Sequence, residues 1–242
     1  MNRTRILGVI PARYASTRFP GKPMALIKGK SLIRRVWENA LKSKELDELI
    51  IATDDLRIKR HAEEFGGKVF LTKASHPSGT DRVFEVARKI RPEIVVNIQG
   101  DEPLLPAESI DLLVRTLKKD KKIPAATLVT PAEKDDCRNP DVVKTVMDIR
   151  GRALYFSRAP IPFLKEKRSQ LILCKHIGIY AFRFPALKAF VFLKPSPLEK
   201  TEKLEQLRLL ENGIGIKLVK TKLRLQAVDT PEDIKKVEKI LK

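Results

Sequence analysis

The 242-residue sequence predicts an α/β fold with an open, mostly parallel sheet, helices on both faces and a smaller antiparallel region late in the chain. Apolar runs rich in Val and Ile alternate with segments whose apolar residues recur every three or four positions, the rhythm of strand and helix. Near-continuous apolar runs separated by helices mark parallel strands buried on both faces. Between "AATLVT", "VVKTVMD" and "RALYFS" that rhythm breaks, and the later connections are too short to hold a helix.

In order, "RILGVI" (5–10) reads as a strand and "SLIRRVWENALKS" (31–43) as an amphipathic helix. "ELIIAT" (48–53) is the next strand, and "DLRIKRHAEEF" (55–65) a helix closed by Gly66 and Gly67. "KVFLT" (68–72), "TDRVFEVARKI" (80–90) and "IVVNIQG" (94–100) continue as strand, helix and strand. "CKHIGIYAFR" (174–183) is expected to return antiparallel, and the region around it to form a dimer flap. Two helices follow, "FPALKAFVF" (184–192) and "EKLEQLRLLEN" (202–212), with "LKPSPLEKTE" (193–202) as a mobile loop. Short strands at "GIKLVK" (215–220) and "RLQAV" (224–228) precede a last helix from Thr230, where "TPED" fits a capping box with Pro231 in the first turn. One domain, 1–242, is expected, with 150–195 as its dimerisation subregion.

Composition narrows the function. The formal charge of +19 invites a nucleic-acid reading, but the lysines are spread along the chain, often beside acids, and no zinc-finger spacing, basic zipper or ribonucleoprotein motif appears. A solvated surface that steers small anions is the preferred account. Apolar stretches fall short of the roughly 20 residues of a membrane span, so no membrane insertion is expected. "MNRTRILGVIPAR" lacks the apolar core of a secretory signal, which points to the cytoplasm. Cys137 and Cys174 have no partner at metal or redox spacing and are read as small hydrophobes.

In open parallel sheets ligands gather outside the carboxyl ends of the strands. There, "PARYASTRFPGK" carries Arg13, Ser16, Arg18 and Lys22, a set that suits a polyphosphate, since guanidinium forks grip phosphate oxygens and lysine adds a point charge. Neither a Walker loop nor a dinucleotide glycine fingerprint is present. "NIQGDEP" puts Asp101 just past a strand, and "QAVDTPED" puts Asp229 at another; two separated aspartates suit a Mg²⁺ site completed by water. An Asx turn at Asp101, or a favourable charge at the last helix's N-terminus for Asp229, explains each as well. "HPSGTDR" offers Ser78, Gly79 and Arg82 at a helix start, for a base, ribose or phosphate or simply for capping. His176 is by default a satisfied sheet histidine.

Taken together, "VIPARYASTRFPGKPM", "SGTDRVFEVA", "VNIQGDEPL", "YFSRAPIPF", "KHIGIYAFR", "EKLEQLR" and "AVDTPEDI" resemble the 3-deoxy-manno-octulosonate (Kdo) cytidylyltransferases, a sugar nucleotidyltransferase family that makes CMP-Kdo for lipopolysaccharide biosynthesis. Sialic acid cytidylyltransferases share the "IPAR" opening but usually continue with a Gly-Ser-Lys pattern. The resemblance implies a Rossmann-like, GT-A-like nucleotidyltransferase sheet and a homodimer. It also implies that Arg13, Ser16, Arg18 and Lys22 hold the CTP triphosphate while Ser78, Gly79 and Arg82 face the cytidine. Asp101 and Asp229 would hold Mg²⁺, two ions in the fullest form, with Lys22, Arg13 and these aspartates as the catalytic set. Gln99, Arg158, His176, Tyr180, Glu205 and Gln206 would meet the sugar, Arg158 at its carboxylate. The resemblance implies transfer of CMP from CTP to the anomeric 2-hydroxyl of Kdo with release of pyrophosphate, favoured over sialic acid by the first loop; the alternative is a related acid sugar, 8-amino-Kdo or sialic acid.

Overall fold

Every residue of β1 (Ile6–Ala12) except Pro11 is buried, because parallel strands flank it on both edges. The computed structural model describes residues 5–15, 19–165, 173–223 and 225–241. Contacts gather into two units, Met1–Arg115 with Leu225–Lys242, and Thr116–Arg224.

In the first unit the chain runs from β1 through a 3-10 turn (Lys22–Met24) and a two-strand ribbon, β2 (Leu26–Ile27) and β3 (Lys30–Ser31), into α1 (Leu32–Ala40). Ser31 caps α1 by accepting from the Arg34 N–H, and Leu32, Ile33, Val36, Trp37 and Ala40 form its buried stripe at the spacing the sequence carries. Then come β4 (Glu48–Thr53), α2 (Leu56–Glu64), β5 (Val69–Leu71), α3 (Gly79–Ile90), β6 (Ile94–Asn97) and α4 (Ala107–Lys119). The strand order is β6-β1-β4-β5, all parallel, so the carboxyl ends line up along one rim. Arg13, Asp54, Thr72 and Gln99 leave the strands at that rim.

The second unit holds β7 (Ala125–Pro131), α5 (Lys134–Arg138), β8 (Lys144–Met147), β9 (Ala153–Ser157), β10 (Cys174–Arg183), α6 (Phe184–Phe192), α7 (Pro197–Glu202), α8 (Leu207–Glu211) and β11 (Ile216–Lys220). β11 lies parallel to β7, β10 antiparallel to β7 and β8, and β8–β9 is an antiparallel hairpin. The chain returns to the first unit for α9 (Pro231–Ile240), whose Thr230 and Asp233 form the expected capping box. The fold is therefore the predicted α/β class, a mostly parallel arrangement with flanking helices and a small antiparallel part. Neither cysteine forms a disulfide: Cys174 is buried and the Cys137 thiol donates to the Glu133 carbonyl. Among the described residues no helix is long and apolar enough to cross a membrane.

Several expectations change. Helices α4 and α5 were not expected from the pattern. "RLQAV" makes no strand over residues 225–228; Arg224 lies outside the described residues. The expected loop at 193–202 instead folds into α7, because Ser196 and Glu199 form a capping box with Pro197 in the first turn. The helix expected over 202–212 is broken at Lys203, which takes a left-handed φ of 56°, and only its second half survives as α8.

A buried charge pair holds α7 on α8. Arg208 donates from Nε to Glu199 Oε2 at 2.8 Å and from Nη2 to Oε1, and its guanidinium lies 4.4 Å from the Phe190 ring centre. Removing one member of such a pair strands the other in a poorly solvated place, at a cost of about 3–5 kcal/mol. Glu199→Ala is therefore expected to lower stability by about that amount. Urea unfolding that leaves the midpoint in place would show the pair to be inert.

Candidate active site

Gly21 opens the 3-10 turn with φ 72°, a conformation most side chains resist. Its N–H donates to the Tyr14 carbonyl at 2.9 Å, and a Cβ there would come within 3.2 Å of the tyrosine ring. The turn delivers the Lys22 ammonium to three oxygens: Asp101 Oδ2 at 2.9 Å, the Val228 carbonyl at 3.0 Å and Asp229 Oδ1 at 3.5 Å.

The two aspartates are placed by backbone. Gly100 packs so near β1 that a Cβ would stand 3.0 Å from the Pro11 carbonyl oxygen, and the Val228 N–H donates to the Asp101 carbonyl at 2.9 Å. Asp233 takes the capping task at α9, accepting from the N–H groups of Asp229 and Thr230. Burial alone would raise the Asp233 pKa, but these bonds and the Lys236 ammonium outweigh it and hold the carboxyl below its ordinary range. The Asp229 carboxylate is thus not the helix cap and faces Lys22.

Arg13 leaves β1 at the same rim. Arg82, on α3, has no exposed surface; its Nη1 donates to Thr72 Oγ1 and its Nη2 stands 3.2 Å from Asp54 Oδ1. Burial pushes its pKa down, Asp54 opposes this, and Arg13 adds to the downward push. Its Nε is enclosed without a partner. Ser78 caps α3, accepting from the Asp81 N–H and donating to the Asp81 carboxylate at 2.7 Å. The capping alternative is thus realised, and Gly79 begins the helix. Gln99 donates to Asn97 Oδ1 at 3.4 Å. Ser16 and Arg18 lie outside the described residues.

The remaining sugar-side residues belong to the second unit and form two groups. Arg158 donates from its N–H to Glu202 Oε2, from Nε to the Glu202 carbonyl and from Nη1 to the Pro140 carbonyl, each at 2.9 Å. Its Nη2 makes no hydrogen bond among the described residues. Burial would raise the Glu202 pKa, yet bonds from Arg158, Ser157 and Tyr155 bring it below the ordinary range. Beneath Arg158 the fully enclosed Lys144 donates to the carbonyls of Asn139, Val142 and Arg158 at 2.7, 2.6 and 2.5 Å. Burial pushes its pKa down.

In the other group the His176 ring stands 5.3 Å from Tyr180 and edge-on to Phe156 at 5.2 Å. Burial pushes the His176 pKa down to about 3, so the ring is neutral near pH 7. Burial and then the nearby Glu205 carboxylate push the Tyr180 hydroxyl well above its ordinary value. Gln206 Nε2 is enclosed without a hydrogen-bond partner among the described residues, and the Tyr180 hydroxyl lies against the side chain of Thr127. An enclosed donor of that kind is what a polyhydroxyl ligand would satisfy. Glu205 and Gln206 occupy the turn between α7 and α8. Sequence reasoning missed Lys144, Glu202 and Thr127, the hydroxyl beside His176, and none of them carries a signal in the hydrophobic pattern.

A family profile described as "Cytidylyltransferase" matches residues 7–223. The chain is 50% identical over 242 residues to the 3-deoxy-manno-octulosonate cytidylyltransferase of Syntrophobacter fumaroxidans, covering 98% of this chain and 97% of the relative. It is likewise 50% identical to the protein of that name from Thermodesulfovibrio yellowstonii, with 96% of each chain covered. The solved structure of a CMP:2-keto-3-deoxy-manno-octonic acid synthetase complexed with CTP superposes with a TM-score of 0.94 at 39% identity, over 98% of both chains. A 4-diphosphocytidyl-2C-methyl-D-erythritol synthase from Anaerococcus prevotii, at 16% identity and TM-score 0.65, shares the fold.

Replacing Lys144 by Met keeps the stem and removes the donors, so the Val142 and Arg158 carbonyls lose this bond while the Asn139 carbonyl keeps the Val142 N–H. Each buried acceptor so stranded costs about 1–3 kcal/mol, partly offset because an enclosed charge is also removed. Lys144→Met should lower the urea midpoint and broaden the amide resonances of residues 139–142; a spectrum unchanged there would refute the clamp.

Proposed function

The chain belongs to the cytidylyltransferase family, and from that membership we propose that it transfers CMP from CTP to the anomeric 2-hydroxyl of Kdo, giving CMP-Kdo and pyrophosphate, the step that activates Kdo for lipopolysaccharide. What carries this is the convergence of Lys22, Asp101 and Asp229 at the strand ends beside Arg13. The substrates bring several negative charges together, so the protein's task is to neutralise them and align attack. The sugar's anomeric oxygen attacks the α-phosphorus and loses its proton. The bond from that phosphorus to the bridging oxygen breaks, and pyrophosphate leaves with the electron pair.

Arg13 and Lys22, with Ser16 and Arg18 from the same loop, grip the triphosphate and stabilise charge gathering on the leaving group. Ser78 and Gly79 present the N-terminus of α3 to the nucleotide, and the enclosed Arg82 contributes a fixed positive charge behind them. Arg158 meets the sugar carboxylate with its unengaged Nη2. Gln99, His176, Tyr180, Glu205 and Gln206 meet hydroxyls. The reaction belongs in the cytoplasm, where CTP is at hand.

Asp101 and Asp229 offer hard oxygens and already close on a cation, the Lys22 ammonium. They are part of no larger cluster of metal-ligating side chains among the described residues. Such a sparse carboxylate pair fits Mg²⁺, which completes its shell with water and phosphate oxygens. Bound there, Mg²⁺ would supply charge neutralisation to the triphosphate.

Pyrophosphate release from CTP and Mg²⁺ is expected with Kdo and not with sialic acid or without sugar; 8-amino-Kdo tests the amino-sugar alternative. Asp101→Asn and Asp229→Asn should each nearly abolish release while leaving the chain folded, and Lys22→Ala should lower kcat more than it raises the Kdo KM. Release with no acid sugar would point to a nucleotide-binding protein without turnover, and near-normal rates for either Asn variant at limiting Mg²⁺ would remove the metal assignment.

A homodimer through the second unit is part of the same proposal. Leu154 and Phe163 are exposed, and a cavity of about 620 Å³ there is lined by Val129, Pro131, Val146, Met147, Pro162 and Leu173 among others. Sedimentation velocity at micromolar protein should give a dimer; a monomer alone would overturn this part.

A further inference from the structure

Between Ile177 and Tyr180 the register of β10 against β7 slips: His176 lies opposite Val129 and Ile177 opposite Leu128, but Tyr180 lies opposite Thr127. The slip brings several polar atoms to one enclosed hydroxyl. Thr127 has no exposed surface, and its Oγ1 stands 2.9 Å from His176 Nε2, 3.1 Å from the Ile177 carbonyl oxygen and 2.7 Å from the Ile179 carbonyl oxygen.

A hydroxyl has one hydrogen, and carbonyl oxygens only accept. Were that hydrogen given to the imidazole, the Ile179 oxygen would face the Thr127 oxygen at 2.7 Å with no proton between them, and both carbonyls would lose the donor they share. The hydrogen therefore stays on the carbonyl side. Oγ1 then accepts with its two lone pairs, one beside the Tyr180 hydroxyl and one facing Nε2, and Nε2 must bring a proton of its own. A neutral imidazole carries its one proton on either nitrogen, so a protonated Nε2 leaves a bare lone pair at Nδ1. Nδ1 makes no hydrogen bond among the described residues, and the Phe156 and Tyr180 rings hold the imidazole plane.

We propose that Thr127 is a positioning residue that locks His176 in the Nε2–H tautomer, so that Nδ1 serves as a pure acceptor for a hydroxyl of the acceptor sugar. The tautomer half stands on the geometry alone; the sugar half rests on the function proposed above. A ring locked this way rewards a ligand hydroxyl that donates and gives nothing to an ether or carbonyl at the same place.

The test is ¹⁵N NMR of the full chain with labelled histidine, His176 being assigned by the signal lost in His176→Gln. Without substrate, the native chain should show Nε2 in the protonated range and Nδ1 in the bare range at neutral pH. Thr127→Val should move the ring toward the other tautomer or a mixture, and Thr127→Ser should restore it. The Nδ1–H tautomer in the native chain, or a Val variant indistinguishable from it, would overturn the proposal. The native spectrum decides even if the Val variant does not fold. In the pyrophosphate assay Thr127→Val should raise the Kdo KM about tenfold, the worth of one hydrogen bond, with the CTP KM unchanged and Thr127→Ser close to native. A change confined to the CTP KM would overturn the sugar half. Failure of Kdo as an acceptor with the tautomer confirmed would instead fault the proposed function and leave the lock standing.

Discussion

One ammonium and two carboxylates organise the rim of the first unit. Lys22 reaches Asp101 and Asp229 only because a left-handed glycine turns the chain before it and a side-chain-free residue lets the Asp101 loop lie against β1. The two carboxylates would repel each other without a cation between them. Their attraction to Lys22 holds together segments some two hundred residues apart in sequence, and the Val228–Asp101 backbone hydrogen bond closes the same seam. In the proposed complex a triphosphate would reverse the balance of charge at this point, so the groups that hold the rim would also be those that respond to the ligand.

In the second unit the ordering groups are themselves polar. Lys144 and Glu202 hold Arg158 through main-chain atoms, and Thr127 holds His176 through a lone pair of its hydroxyl oxygen. Such networks are costly when half made and rigid when complete. The enclosed Gln206 Nε2, without a partner among the described residues, stands out against that background.

The parallel core was legible because its signals are local. "ELIIAT" and "CKHIGIYAFR" match β4 and β10 residue for residue, "FPALKAFVF" matches α6, and the Thr230 capping box was readable from four letters. The site residues at strand ends could be proposed from position and charge. What stayed hidden depends on contacts and backbone turns that hydrophobic periodicity does not carry. A proline-rich stretch reads as a loop until Glu199 meets Arg208, and the break at Lys203 lies inside a sequence with good helical periodicity. Thr127 looks like any strand threonine, because its task arises from a slip in the register of the opposite strand.

The three carbonyls around Lys144 belong to Asn139, Val142 and Arg158, and the ammonium grips their backbone and not their side chains. A clamp of that kind is blind to what residues 139 and 142 are, so long as the chain can follow the same path. Sequence drift at those positions is therefore decoupled from the placement of Arg158, and an engineer could vary them to retune the surface without disturbing the residue they support.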